Sequence, residues 1–484
     1  MAAGPTPDDR YYTHTLSPSS LLTQPCVIRN KIEKINRCRE LGEMALPVGV
    51  INLECLMNRA NILFTSGYRF KGDLNLSNIK DAFVAVTERV EKFRHRLHFE
   101  AQDNFHWTPA SGADTRFHVV SGDDIDHEFN ELCRDSLSLV DDGRRCPMAL
   151  TVIRNAKAPH DFIIAQTSEH TYVDARSAET IFNLIVDYYN ALCRGDHAAL
   201  SKILDAAESI VTLGSHEAAN IIAAEGYDRD GNIEGLTAYP VADVGGYAIP
   251  LADVPGCLDA YKKQRFAPIV QFFSIGELLK RCRARYPEVT QNSVVCAALA
   301  KGFYNLNLRE RGAPDSHIIS FKMLSDLLKP ELRAKYSGNY IAFVPVSVDG
   351  HLPIEEMAKS IHDRIRHFKD SKLDLTIFKL TEEAVEAALV GTVDDPLSFV
   401  VTNWNNYRFL NSTEYLHGCH SVRHQSGVNI EPKDTLGAIL VNRPILVINM
   451  SPGQELCLSL FPSLRAEAEN RQVAGAIGDV FRQY

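Results

Sequence analysis

The segment Ser168-Glu169-His170-Thr171-Tyr172-Val173-Asp174-Ala175 carries the side chains of this chain best suited to moving a proton. An imidazole with an unperturbed pKa of about 6.5 takes and returns a proton near neutrality. The carboxylate of Asp174, four residues on, stands where a loop would have to be braced to aim that ring. A lone His at a strand end is usually structural. What marks His170 is its setting, an HxxxD element between a buried strand and an amphipathic helix. The strand is the apolar run Asp161–Thr167 (DFIIAQT), and the helix is announced by Ala178, Ile181, Phe182, Ile185, Tyr188 and Leu192 on one face.

Other chemistries find less support. The sequence has no GxxxxGK(S/T), no GxGxxG after a strand and no GxSxG elbow. Asp141-Asp142 and Asp394-Asp395 are followed closely by Gly or Pro and read as turns. His417, Cys419, His420 and His424 have ligand-capable spacing but fall in an apparently irregular segment without a matching Cys pair, so no metal is expected. Lys280, Arg281, Arg283 and Arg285 read as the solvated face of a helix.

These residues need a scaffold, and the chain is long enough to provide one. Its 484 residues, 45% hydrophobic and 23% charged, predict a soluble globular protein of more than one domain. A net charge of −10 argues against a nucleic-acid partner. No stretch approaches the roughly 18 apolar residues of a membrane span, and MAAGPTPDDRYYTHTLSP lacks a signal peptide's apolar core, so a cytoplasmic location is expected. Eleven scattered Cys with no CxxC agree with that location.

Residues 1–20 read as an N-terminal arm and 21–225 as an N-terminal lobe carrying HxxxD. Within that lobe a strand is expected at Asn61–Phe70, then a helix capped by Ser77 with Ile79, Ala82, Phe83, Val86, Val90 and Phe93 on its apolar side. The Gly- and Pro-rich stretch 226–268 reads as an inter-lobe connection, and 269–484 as a C-terminal lobe. In that second lobe, helices are expected at Ile275–Tyr286 and at Gln291–Asn305 behind Thr290. Strands are expected at Ile269–Phe273, Ala342–Val348, Ser398–Val401, Ile439–Val441, Ile445–Asn449 and Leu456–Phe461. Both halves open with a strand, a turn and an amphipathic helix, which fits two lobes of similar build.

With its HxxxD element the chain resembles the chloramphenicol-acetyltransferase-like superfamily of acyltransferases and condensation enzymes. Four further segments carry the resemblance in the same order. Leu74–Phe99 is similar to the opening helix, Phe272–Phe303 to the start of the second lobe, Tyr336–Val348 (YSGNYIAFVPVSV) to the Gly-Asn segment, and Val401–Trp404 (VTNW) to the Thr-Ser-Trp element. Glu169 stands where the double-His form has its first His, and strand alternation would turn it away from His170. Ala175 replaces a Gly. The Arg that many relatives place before the Gly-Asn segment, as partner for the Asp, has no evident counterpart in MLSDLLKPELRAKYSGN. The DFGWG loop is absent, which favours the condensation-like branch over plant-type alcohol acyltransferases.

The resemblance implies an α/β fold of two lobes, each a mixed sheet with flanking helices, with an active-site channel between them. It implies transfer of an acyl group from a thioester to an alcohol or amine acceptor in natural-product biosynthesis, without a covalent enzyme intermediate. No permanently bound cofactor is expected; the co-substrate would be acyl-CoA or a phosphopantetheine-linked acyl group, with an acyl carrier protein as a partner in the second case. His170 would be the general base, Asp174 its structural support, and Thr402 and the indole N–H of Trp404 the oxyanion donors, with Arg176 as the nearest partner for Asp174 in sequence. Two rival readings are a catalytically inactive condensation-like recruitment module and a metal-dependent hydrolase built on His417, His420 and His424.

Overall fold

The computed structural model describes residues 52–100, 104–109, 116–136, 147–212, 247, 249–263, 267–311, 317–386 and 397–484, the last span without 406, 413, 434–436, 439, 440 and 462. The N-terminal arm, both Asp pairs and most of 226–268 lie outside these residues.

The first half contributes β1 (Ile62–Gly72), β2 (His95–Glu100), β3 (Asn104–Pro109), β4 (Arg116–Gly122), β5 (Met148–Asn155) and β6 (Asp161–Glu169). The second contributes β7 (Ile269–Ser274), β8 (Ile318–Asp326), β9 (Ile341–Asp349), β10 (Phe399–Trp404), β11 (Cys419–Ile430), β12 (Ile445–Met450) and β13 (Glu455–Phe461). They form two mixed sheets, in the orders β11-β1-β6-β5-β4 and β7-β13-β12-β10-β8-β9, and a separate β2-β3 hairpin. The expected α/β architecture of two mixed sheets with flanking helices is what the chain adopts.

The first sheet is covered by α1 (Leu76–Thr87) and α2 (Ala175–Arg194). Ile79, Ala82, Phe83 and Val86 of α1 and Ile181, Phe182 and Ile185 of α2 are fully buried, as their helical spacing requires. The α1 cap is Asn75 rather than Ser77: its side-chain oxygen accepts from the Ser77 and Asn78 main-chain N–H groups, both at 3.1 Å. An Asn accepts these bonds as well as a Ser does, so the first good capping residue in sequence wins. Val90 and Phe93 lie beyond α1 but remain in the core.

The second sheet carries α3 (Gln291–Arg311), the short α4 (Pro330–Arg333), α5 (Ile354–Asp370) and α6 (Glu467–Arg482). Thr290 caps α3 through Oγ1, which accepts from Ser293 N at 3.2 Å. At Gly302 α3 comes so close to α6 that a Cβ would stand 2.8 Å from Ile477 Cα, so only Gly permits the approach. The basic face of the helix Gly276–Arg285 is ion-paired with α5, Arg281 to Glu355 and Arg285 to Glu356.

Three features depart from the sequence reading. A helix, Val254–Lys263, occupies part of the stretch read as irregular connection; Pro255 is tolerated because its first-turn N–H would have no helical partner. The strand expected at Ile439–Val441 falls largely outside the described residues, and Val441 itself is in a turn. Most consequentially, residues 419–430 are a strand. β11 leaves the second half, pairs antiparallel with β1 from Ile62↔Ile430 to Gly72↔Cys419, and packs against β12 and β13. The sheets therefore share a seam: Trp404, Val447 and Phe461 of the second join the apolar core built on the first. Among the described residues no helix is long and apolar enough to cross a membrane.

Candidate active site

His170 directly follows the last residue of β6, and its position is fixed by main-chain bonds to both halves of the molecule. Its N–H donates to the Ile62 carbonyl of β1 at 2.9 Å, and its carbonyl accepts from Asn339 Nδ2, just before β9, at 2.8 Å. The ring is half-buried and stands edge-on to Phe64, with centroids 5.2 Å apart. Burial lowers its pKa from the usual 6.5, outweighing its own carbonyl, the charge of Asp174 and the Asn339 side chain, which favour the cation. A neutral imidazole at physiological pH is the form able to accept a proton.

Asp174 is the N-cap of α2. Its Oδ1 accepts from Ser177 N at 2.7 Å, ending the loop that His170 begins. Ser177 in turn exchanges hydrogen bonds with the main chain of Gly338, both at 3.2 Å, so the Gly338-Asn339 pair grips the HxxxD element from two sides. The cationic partner of Asp174 is Arg333, with Nη1 3.7 Å from Oδ1. Arg333 also donates from Nε to Asp326 Oδ2 at 2.5 Å. Two sequence expectations are corrected here. An Arg does precede the Gly-Asn segment, at the end of α4, and Arg176 is committed elsewhere: it pairs with Glu179 at 3.0 Å, bonds the Asn405 carbonyl and lies over the Tyr407 ring at 4.7 Å. Ala175 offers its carbonyl to Tyr407 Oη at 3.1 Å, a contact that needs no Gly.

Thr402 and Trp404 project from the same face of β10, two residues apart. The Trp404 indole N–H donates to Thr402 Oγ1 at 3.1 Å, so it is not directed at an empty position as a direct oxyanion donor would be. Accepting that bond leaves the Thr402 hydroxyl proton to point elsewhere. Trp404 is 5% exposed and packs edge-on to Phe64, which thus touches both His170 and Trp404.

His170, Asp174, Thr402 and Trp404 all line one cavity of about 230 Å3 between the two sheets. Its walls are mostly apolar, with Phe64 and Ile62 from the first sheet, Val428 and Ile430 from β11, and Leu324 and Val447 from the second. Glu169 is not among the lining residues, in keeping with strand alternation. Sequence reasoning missed two of the residues that build this site. Asn339 sits inside the quoted YSGNYIAF segment, and Arg333 lies only six residues before it.

The His417–His424 segment forms no comparable site. The β1–β11 register passes over Val422, so Arg69 faces Arg423 while Phe70 faces Ser421. Such a bulge reverses the inward and outward faces. His420 is exposed, whereas His424 turns into the core and stacks on Tyr68 at 4.8 Å. Among the described residues no group of three His, Cys, Asp or Glu side chains is disposed to hold a metal ion.

No protein-family model matches the chain, and no curated protein matches its sequence. Solved structures match over most of its length. Polyketide synthase associated protein 5 from Mycobacterium tuberculosis superposes with a TM-score of 0.57 at 14% identity, covering 90% of this chain and 98% of its own. The first condensation domain of the calcium-dependent antibiotic synthetase, in complex with a substrate analogue, gives 0.61 at 12%, covering 91% and 95%. A variant of the starter condensation domain of rhizomide synthetase, in complex with C8-CoA, gives 0.61 at 11%, covering 92% and 95%. The likeness at these identities is one of fold: the chain has the two-lobed architecture of condensation domains.

Proposed function

We propose that this protein is an acyltransferase that moves an acyl group from a thioester, on coenzyme A or a carrier protein, to an alcohol or amine in natural-product biosynthesis. The observation that carries the reading is His170 on the wall of the inter-sheet cavity, with its main chain bonded to both halves. The neighbouring fold being found in a complex with C8-CoA supports the donor class.

Neutral His170 takes the proton of the acceptor hydroxyl or amine as its oxygen or nitrogen attacks the thioester carbon. The carbonyl oxygen becomes a tetrahedral oxyanion, which the Thr402 hydroxyl stabilises while Trp404 holds that hydroxyl in place. As the tetrahedral centre collapses, the carbon–sulfur bond breaks and His170 returns the proton to the departing thiolate. Asp174 and Arg333 touch no reacting atom in this scheme; they hold the loop. Acyl-CoA is a co-substrate, and no resident cofactor takes part.

The test is to mix the protein with acyl-CoA and acyl-carrier panels, with and without alcohols and amines, following free thiol and product mass together. Acceptor-dependent thiol release with a matching ester or amide is expected. Absence of thiol release across the panels, with the protein folded, would favour the recruitment-module reading.

A further inference from the structure

Six elements each leave one apolar side chain half-covered at the same place. Ile62 of β1, Leu324 of β8, Phe343 of β9, Val400 of β10, Ile445 of β12 and Ile377 of the helix Leu373–Glu386 are all half-buried, and all line the cavity. Their sequence neighbours Met323 and Val344, on the other face of the sheet, are only 3% and 2% exposed. Apolar surface that folding leaves open and gathers in one concave place is a binding surface for apolar matter.

The sheet sets the order of these residues. Val400 pairs with Lys322 and Val401 with Met323, a register that continues with Thr402 beside Leu324. Leu324 pairs in turn with Phe343, and Thr402 with Val447 on its other side. A row Val447–Thr402–Leu324–Phe343 therefore crosses four strands. Phe343, on the last strand of the sheet, stands two strand spacings from Thr402, about 10 Å at about 4.8 Å each. The helix Asn52–Ala60 closes that end: its Leu53 and Met57 line the cavity and share an apolar cluster with Ile341, against which Leu324 and Phe343 pack.

The charged groups of the wall are engaged within the protein. Asp174 and Asp326 share Arg333, and Arg176 pairs with Glu179. Lys322 and Arg443 are 8% and 3% exposed and have interactions of their own. No charged residue belongs to the row that runs through Thr402. The Thr402 hydroxyl is the donor proposed for the acyl carbonyl oxygen, so the chain attached to that carbonyl sets out from Thr402, with Leu324 and then Phe343 beside it.

We propose that Leu324 and Phe343, closed over by the helix Asn52–Ala60, bind the tail of an uncharged aliphatic acyl group, so that the donor is a medium-chain fatty acyl thioester. At about 30 Å3 for a group the size of a water molecule, the cavity of about 230 Å3 holds about eight such groups, which fits a chain of about eight carbons. The proposal rests on the acyl-transfer reading for the chemistry at the carbonyl, but the chain pocket itself is measurable without turnover.

Pantetheine thioethers bearing 2-oxoalkyl chains, from 2-oxobutyl to 2-oxododecyl, test it. They keep the carbonyl and the arm common to coenzyme A and carrier proteins, and they release no thiol. In calorimetric titrations of the wild type, affinity should rise about fourfold per methylene, the value of a buried CH2, and level off near about eight carbons. Leu324→Trp, which fills the row beside Thr402, should flatten the series from its shortest members, whereas Leu324→Met should keep it. Phe343→Ala should carry the rise to longer chains. Thermal melts verify folding, and Ile377→Phe, read in the same way, serves where Leu324→Trp does not fold. Equal affinities along the series, no binding throughout it, or a series that the filling variants leave unchanged would overturn the proposal. So would a chain ending in a carboxylate that binds as tightly as the uncharged chain of the same length. Thiol release from octanoyl-CoA and an octanoyl carrier protein, with the acceptor panel, separates the two readings. A rising series without thiol release keeps the pocket and rejects acyl transfer, and thiol release with a flat series does the reverse.

Discussion

His170 and His424 stand on the first sheet two strands apart, at the end of β6 and within β11. Burial depresses the pKa of both imidazoles. His424 is 0% exposed, stacked on Tyr68 and 5.0 Å from the Tyr407 ring, and among the described residues neither ring nitrogen has a hydrogen-bond partner. Burial, helped by the charge of Arg176, pushes it down to about 3. His170 is half-buried, borders a cavity, and is anchored through its main chain to Ile62 and Asn339. Since the main chain of His424 is anchored too, donating to Ser451 Oγ at 2.9 Å, it is access to a cavity that separates a site from a core filler; the ligand-capable spacing of His417, His420 and His424 does not.

Exchanging the lesions should break the comparison most visibly. His170→Ala is expected to lower turnover by about 10²–10⁴-fold, the range for losing a general base, while its melt stays near that of the wild type. His424→Ala should do the opposite, leaving a hole among aromatic rings at a cost of about 3–5 kcal/mol, as for a buried aromatic side chain. Turnover and calorimetry on both variants check this; a His424 variant that melts normally but is inactive would reverse the assignment.

Next come the braces of the His170 loop. Arg333→Met leaves the Asp174 carboxylate buried without its cation, and Asp174→Asn leaves Arg333 without one of its two carboxylates. Breaking a buried pair costs about 3–5 kcal/mol, so both variants should melt well below His170→Ala. If Asp174→Asn melts like the wild type yet is inactive, Asp174 acts in the chemistry itself.

Thr402→Val removes the proposed oxyanion donor while keeping the side-chain shape, and should cost about 10²-fold in kcat, the lower end for such a donor. An unchanged kcat would remove Thr402 from the mechanism.

The gentlest effect is on acid stability. Unfolded His424 takes up a proton below about 6.5, whereas the folded residue resists until about 3. Its contribution is therefore fully present above pH 6.5 and declines as pH falls through that window. The limit is about 1.4 kcal/mol per pH unit. Urea unfolding of the wild type and His424→Phe between pH 7 and 4 should show a steeper acid loss in the wild type; equal slopes would mean that His424 is protonated, or unburied, in the folded state.

The legible parts of the molecule were those with a strong local signal. The apolar alternation and helical spacing around residues 161–192 located β6, α2 and the HxxxD loop between them, and Thr290 announced α3. Arg333 carries no sequence signal because it sits in a charged, Pro-started stretch that looks like surface; only the turn of α4 carries it to Asp174. β11 reads as irregular because its sequence, CHSVRHQSGVNI, hardly alternates. It is a strand buried from His424 to Ile430, and some of its polar side chains find partners in distant elements, as when Ser426 Oγ donates to Asn449 Oδ1 and Asn429 Nδ2 to the Arg134 carbonyl. A segment whose polar groups find their partners far away in sequence gives no sign of burial in its own composition.

The central claim, that neutral His170 is the base of acyl transfer, is tested most directly by the pH dependence of acceptor-driven thiol release. The measurement runs from pH 4.5 to 8 on the wild type and on the residual rate of His170→Ala. The account predicts an acid limb in the wild type with an apparent pKa below the usual 6.5 of histidine, and no such limb in the variant. A wild-type rate that is flat across this range, or an acid limb that survives in His170→Ala, would contradict it.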